Sequence, residues 1–295
     1  MRIQHRYLTF EKSSQLTKLL DTLAVRYKEQ EKSYGKGVQS YSLEFFIYED
    51  NPRFQELKKA VQTFDIKAQV GTLYDKLDEA QANWFIASTG QYQYPQPEEG
   101  YKEATFDLTH YCNNCGIGKV QNAPYRLKSE PKQQNSQFWG LHWEYEPVFV
   151  RQEAKDILER EEIQGVRFSQ PVLHRKNISV EGFYQLQIDM TLNPGFNPYN
   201  TNQITCKINN EENCNSNSDT NCCGRIKFHH PRRGGYLFET ATFSANKDIA
   251  LSHEYFGSGA SANRLVIVSK RFKELIDKYK LKGLGFVPIV HSKLE

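Results

Sequence analysis

The chain has 295 residues, 38% of them hydrophobic and 13% aromatic, enough for one large core or two ordinary ones built on Phe and Tyr rings. Its formal charge of +3, from 38 basic and 35 acidic residues, is too small for this length to mark a nucleic-acid or membrane partner by itself. No apolar run approaches ~18 residues, and the start, Met1-Arg2-Ile3-Gln4-His5-Arg6, has no apolar leader, so a cytoplasmic protein is expected, with its six cysteines as thiolates or metal ligands rather than disulfides.

Residues 1–105 read as an N-terminal α/β domain. Leu16, Leu19, Leu20, Leu23 and Tyr27 recur at helical spacing, which predicts a helix over Gln15–Tyr27 with Ser14 as N-cap and Gly35 and Gly37 beyond its end. Leu43–Tyr48 is a near-continuous apolar run suited to a buried strand. Pro52 opens a second helix at its first position, with Phe54, Leu57, Val61 and Phe64 on one face. Trp84-Phe85-Ile86-Ala87 predicts another buried strand, and Gln91–Gly100, with Pro95 and Pro97, a loop and domain boundary.

A second domain, 106–180, carries Cys112-Asn113-Asn114-Cys115-Gly116. Two residues between cysteines let both sulfurs face one ion, and the glycine permits the tight turn that follows. Tetrahedral zinc needs two further ligands, for which Cys206, Cys214, Cys222, Cys223, His229 and His230 are candidates. Redox chemistry fits less well, because it wants the pair at a helix start and Ile117-Gly118-Lys119-Val120-Gln121 announces none. Lys119, Arg126, Lys128 and Lys132 follow as a basic stretch, either a nucleic-acid surface or a solvated one broken by Glu130 and prolines.

The third segment, 181–295, opens with an insertion. Ten asparagines crowd residues 193–221 with Pro194, Gly195 and Pro198, too polar a composition to bury much surface. Cys222-Cys223-Gly224 then reads as a second, degenerate knuckle, with Thr220 where its first cysteine is expected. Adjacent cysteines chelate one ion only with strain, so Cys223 is the better placed of the two. The expected ligands of a structural zinc ion are thus Cys112, Cys115, Cys222 and Cys223. His229-His230-Pro231-Arg232-Arg233-Gly234-Gly235 is a cationic patch, an anion grip or a solvated turn. Gly257-Ser258-Gly259-Ala260-Ser261 lacks the Lys-Ser/Thr of a phosphate loop and precedes a strand-like run, so it reads as a plain loop. Asp248, Ser252, His253 and Glu254 make a grouping that any chain of this length offers, and no catalytic residue is assigned.

Two stretches repeat. Val148–Leu173 falls on Val266–His291 without a gap, matching Val148/Val266, Val150/Val268, Lys155/Lys273, Gly165/Gly283, Phe168/Phe286 and Val172/Val290, with apolar-for-apolar replacement between them. Each copy reads as strand, helix and strand, with Ser269 able to cap the second helix and Gly165 and Gly283 at the helix stops. A parallel crossover and an antiparallel corner are both open. A cysteine-glycine turn precedes each copy, so the expected fold is α/β (α+β), an N-terminal α/β segment followed by two pseudo-repeated knuckle and β-α-β units.

On Cys112–Gly116, the partial Cys222-Cys223-Gly224, Asp248–Gly259, Arg264–Ile276 and the ending Leu281–Ile289, the chain resembles the bacterial double-CxxCG motif family over roughly residues 105–295. The resemblance implies a binding protein, since some members of that family are immunity proteins that neutralise a toxin from neighbouring bacteria. Three functions are therefore expected in order: a zinc-stabilised, non-enzymatic protein with a toxin partner; a zinc-knuckle nucleic-acid binder; and a metal-dependent enzyme.

Overall fold

A computed structural model describes residues 1–34, 38–92, 94–132, 135–207, 223–243 and 247–291. The fold is mixed α+β. It forms two compact units, residues 1–81 with 231–235, and residues 82–230 with 236–295.

The first unit contains β1 (Arg2–Thr9), α1 (Ser14–Thr22), β2 (Tyr27–Tyr34), β3 (Val38–Tyr48), α2 (Phe54–Val61), β4 (Gln69–Leu73) and α3 (Lys76–Gln81). Its sheet runs β2-β3-β1-β4 with every neighbour antiparallel, the ferredoxin-like split βαββαβ arrangement. Leu16 and Leu20 of α1 and Phe54, Leu57 and Val61 of α2 share one core with Tyr7, Leu43, Phe45 and Ile47 of the central strands. Each such side chain, fully buried, contributes about 1.5–3 kcal/mol. The first helix is shorter than its apolar spacing suggests: Ser13, not Ser14, caps it through Leu16 N–H, and Ala24 at φ +49° turns the chain so that Tyr27 starts a strand. The second begins at Phe54, beyond Pro52. Gly35 and Gly37 lie outside the described residues.

The second unit begins with β5 (Trp84–Thr89), β6 (Gln91–Tyr92), β7 (Phe106–Asp107), β8 (Val120–Gln121) and β9 (Arg126–Leu127). Next come β10 (Phe138–Leu141), β11 (Glu144–Arg151), α4 (Gln152–Arg160), β12 (Val166–Ser169), β13 (Val172–Leu173) and β14 (Phe183–Ile188). The short strands β15 (Phe196–Asn197), β16 (Gln203–Thr205), β17 (Ile226–Phe228) and β18 (Leu237–Phe238) follow. The unit ends with β19 (Ile249–Phe256), β20 (Asn263–Ser269), α5 (Lys270–Lys278), β21 (Leu284–Pro288) and β22 (Val290–His291).

The two repeats have the same register. In the first copy β14 lies between β11 and β12, with Leu186 opposite both Val148 and Phe168. In the second, β5 lies between β20 and β21, with Ala87 opposite both Val266 and Phe286. The strands flanking each helix are therefore parallel but separated by one antiparallel strand. That central strand comes after the helix in one copy and from the start of the unit in the other. This moves two boundaries drawn from sequence. Trp84–Thr89 belongs to the second unit rather than to an N-terminal domain ending at 105, and Phe183–Ile188 completes the first copy's sheet across the boundary at 180.

The copies meet reciprocally. Gly165 (φ +96°) of the first lies against Ile249 in the second, where a Cβ would come 2.2 Å from its carbonyl oxygen. Gly283 (φ +108°) of the second lies against Phe138 in the first, at 2.0 Å. Gln164 O accepts from Ile249 N–H as Lys282 O accepts from Phe138 N–H. Matched residues also touch each other: Arg264 donates to Glu146 at 2.6 Å, and Tyr279 O–H to Glu161. Such exchange is the signature of a two-fold axis, here inside one chain. The helix stripes Ala154-Ile157-Leu158 and Phe272-Leu275-Ile276 fill a single core.

Candidate metal centre

Each pair of cysteines is set by a short backbone turn. In the first knuckle Gly116 N–H donates to Cys112 O at 2.8 Å and Cys112 N–H to Ile117 O at 2.9 Å. In the second, Gly224 N–H donates to Cys206 O at 3.2 Å and Cys206 N–H to Arg225 O at 2.9 Å. Gly116 and Gly224 both sit in the left-handed region, at φ +80° and +68°. The second turn is therefore a complete knuckle whose cysteines, Cys206 after β16 and Cys223 before β17, are separated by an insertion. Cys206, rather than the position of Thr220, supplies the first cysteine of this knuckle. Thr220, Cys214 and the expected ligand Cys222 lie outside the described residues.

The sulfurs of Cys112, Cys115, Cys206 and Cys223 all lie within 4.8 Å of one another, with Cys112–Cys206 at 3.8 Å and Cys115–Cys223 at 3.5 Å. A tetrahedron of Zn–S bonds near 2.3 Å has sulfurs about 3.8 Å apart, so the spacing suits a four-sulfur metal site. Cys112 and Cys115 are buried, while Cys206 and Cys223 are more exposed. Burial pushes both buried thiols up, but backbone N–H groups of Cys115 and Asn114 bring Cys112 down to about 6. Cys115, where burial dominates, is held up at about 12. A cation bound here would displace the protons of the remaining thiols, since the thiolate is the ligand form.

Lys227 braces this centre. It is 2% exposed, and its Nζ donates to the carbonyls of Cys115 at 2.9 Å, Gly259 at 2.5 Å and Ser261 at 2.8 Å. The Gly257–Ser261 stretch is thereby the β19–β20 hairpin loop, tied to the first knuckle. Lys119 is the matching residue three positions after Gly116, and it pairs with the buried Glu144. Arg126 donates to Ala104 O and His174 O, and Lys128 pairs with Glu98, so much of the basic stretch is engaged within the fold.

No family model matches the chain, and no curated protein matches it.

The remaining sequence candidates have other roles. His230 Nδ1 lies 2.7 Å from Tyr236 Oη, and neither it nor His229 joins the cysteine cluster. Arg233 bonds Glu49 at 2.8 and 3.1 Å within the first unit. Asp248 accepts from Ser269, Arg271 and the Gln164 backbone, joining the copies. Ser252 Oγ donates to Glu254 O, and Glu254 Oε1 accepts from the N–H groups of Gly195 and Phe196. No described helix is long and apolar enough to cross a membrane.

Proposed function

We propose that the four cysteines hold one structural zinc ion, and that the chain is a non-enzymatic binding protein of the double-CxxCG kind with a protein partner, a toxin being the class the resemblance favours. The observation that carries the metal reading is the closed set of four sulfurs supplied by two equivalent knuckles. Four thiolates select zinc over hard cations, and they leave no position for substrate, which favours a structural role over a catalytic one. Zinc would be held by Cys112, Cys115, Cys206 and Cys223 and would close the loop between the last two. A protein partner is preferred to a nucleic acid because Lys119, Arg126 and Lys128 are already spent within the fold.

Elemental analysis should give one zinc per chain, and cobalt substitution the intense visible bands of a tetrahedral sulfur site. A chain that folds normally without metal would sink the zinc reading. For the partner, co-expression with toxins encoded beside the gene should relieve toxicity and recover a stable complex. Neither relief nor complex formation would reject that half of the proposal while leaving the metal half standing.

A further inference from the structure

The second copy's sheet opens into a wedge. β5 and β20 pair from Trp84↔Ser269 to Ala87↔Val266 and then part, β5 continuing along β21 to Thr89 and β20 along β19 to Asn263. The gap is a cavity of about 560 Å3, within the ordinary size of small-molecule sites. The first copy's ladder ends at the matching step, Val148↔Leu186, beside a cavity of about 300 Å3, and Arg264 borders both.

The two wedges have diverged in chemistry. The first is lined by charges that cancel: Lys119 with Glu144, Arg167 with Asp189, and Arg264 with Glu146. Its amides, Gln121 and Gln185, bond each other. The second is lined by Ser88, Thr89, Gln91, Ser258 and Ser261, whose side chains make no hydrogen bond among the described residues. Tyr145, also in the lining, is 49% exposed and makes no ring contact among the described residues. Of the charged or titratable lining groups, Arg264 is neutralised by Glu146, and His230 is turned to Tyr236 and kept neutral by burial.

We propose that this second wedge binds a neutral polyhydroxylated ligand, a mono- or oligosaccharide. Hydroxyl and amide side chains each offer both donor and acceptor, which matches the hydroxyls of a sugar. The exposed face of Tyr145 suits the apolar C–H face of a pyranose ring. A phosphate would find no unpaired cation here, and a divalent metal no free carboxylate. The wall bearing Ser258 and Ser261 is already formed, because Lys227 bonds the carbonyls of Gly259 and Ser261, so binding need not order that loop.

Saturation-transfer difference NMR on the full chain, with maltose, cellobiose and N,N′-diacetylchitobiose in separate samples, tests the assignment. Transfer from at least one sugar is expected. Tyr145→Ala should weaken it by roughly tenfold in Kd, and Ser88→Val by several-fold, without changing circular dichroism or thermal midpoint. No transfer from any of the three, equal transfer in both variants, or inorganic phosphate competing for the site would each overturn it.

Discussion

At the scale of single residues, the centre turns on Cys206. If the four sulfurs hold zinc as proposed, Cys206→Ser should abolish stoichiometric zinc and lower the thermal midpoint, as Cys112→Ser should, because each removes one of the four. Retention of a full equivalent of zinc in Cys206→Ser would instead hand its place to a cysteine outside the cluster. A second residue-scale prediction concerns acid. Arg233, hydrogen-bonded to Glu49 with help from His5, holds that carboxyl at about 2, against an ordinary value of 4.5. A depressed carboxylate stabilises the fold above its unfolded value, and that contribution is lost as pH falls from 4.5 toward 2. Arg233 is largely exposed, so the gain is about 1 kcal/mol or less. Arg233→Ala should flatten the acid limb of a urea-stability profile by that amount and leave pH 7–8 behaviour parallel to the parent.

Why Cys112 and Cys115 were legible and Cys206 was not is a matter of distance along the chain. The first knuckle is local, and its spacing announces it. The second is cut by its insertion, so the spacing rule has nothing to act on. A usable signal was present nonetheless. Cys115-Gly116-Ile117-Gly118-Lys119 and Cys223-Gly224-Arg225-Ile226-Lys227 share a lysine three residues after the glycine, which fixes the register and requires a first cysteine somewhere upstream.

Among the elements, the insertion and the glycine stops carry separate tests. Deleting residues 208–221 leaves Cys206-Lys207-Cys222-Cys223-Gly224, restoring knuckle spacing. The shortened chain should keep its zinc and melt within a few degrees of the parent, since closing a shorter loop costs less entropy. Loss of metal would show that the insertion shapes the site. Gly165→Ala and Gly283→Ala combine a left-handed backbone with a Cβ driven into a carbonyl of the other copy. Each should cost roughly 2–4 kcal/mol in denaturant unfolding, and a cost below 1 kcal/mol would contradict the close approach. The repeat's helices, caps and apolar stripes were readable because those signals are periodic and local. Trp84–Ala87 was readable as a strand, but the central places of β5 and β14 in their sheets were not, since these depend on partners far along the chain and a buried apolar run does not say which sheet it joins.

For the whole second unit, the relevant fact is that one chain builds both sides of a two-fold interface. Arg264 and Glu146 are each about a quarter exposed, and Glu146 also accepts the Arg264 backbone N–H. Breaking the pair from either side should cost roughly 2 kcal/mol, and the exchanged double variant Glu146→Arg/Arg264→Glu should recover part of the loss. Equal additivity of the two single changes in equilibrium unfolding would show that the contact carries no coupling.

That pair has an evolutionary corollary. In a homodimer, a side chain on the symmetry axis meets its own copy, so an acid there confronts an acid and an arginine an arginine. Joining the two halves in one gene lifts that constraint: the positions mutate separately, and a carboxylate opposite a guanidinium becomes attainable. The same release lets one wedge fill with mutually cancelling ions while its twin keeps a row of unbonded hydroxyls. Pairing of two identical halves from different molecules would then be disfavoured, because it would bring like charges together at the seam.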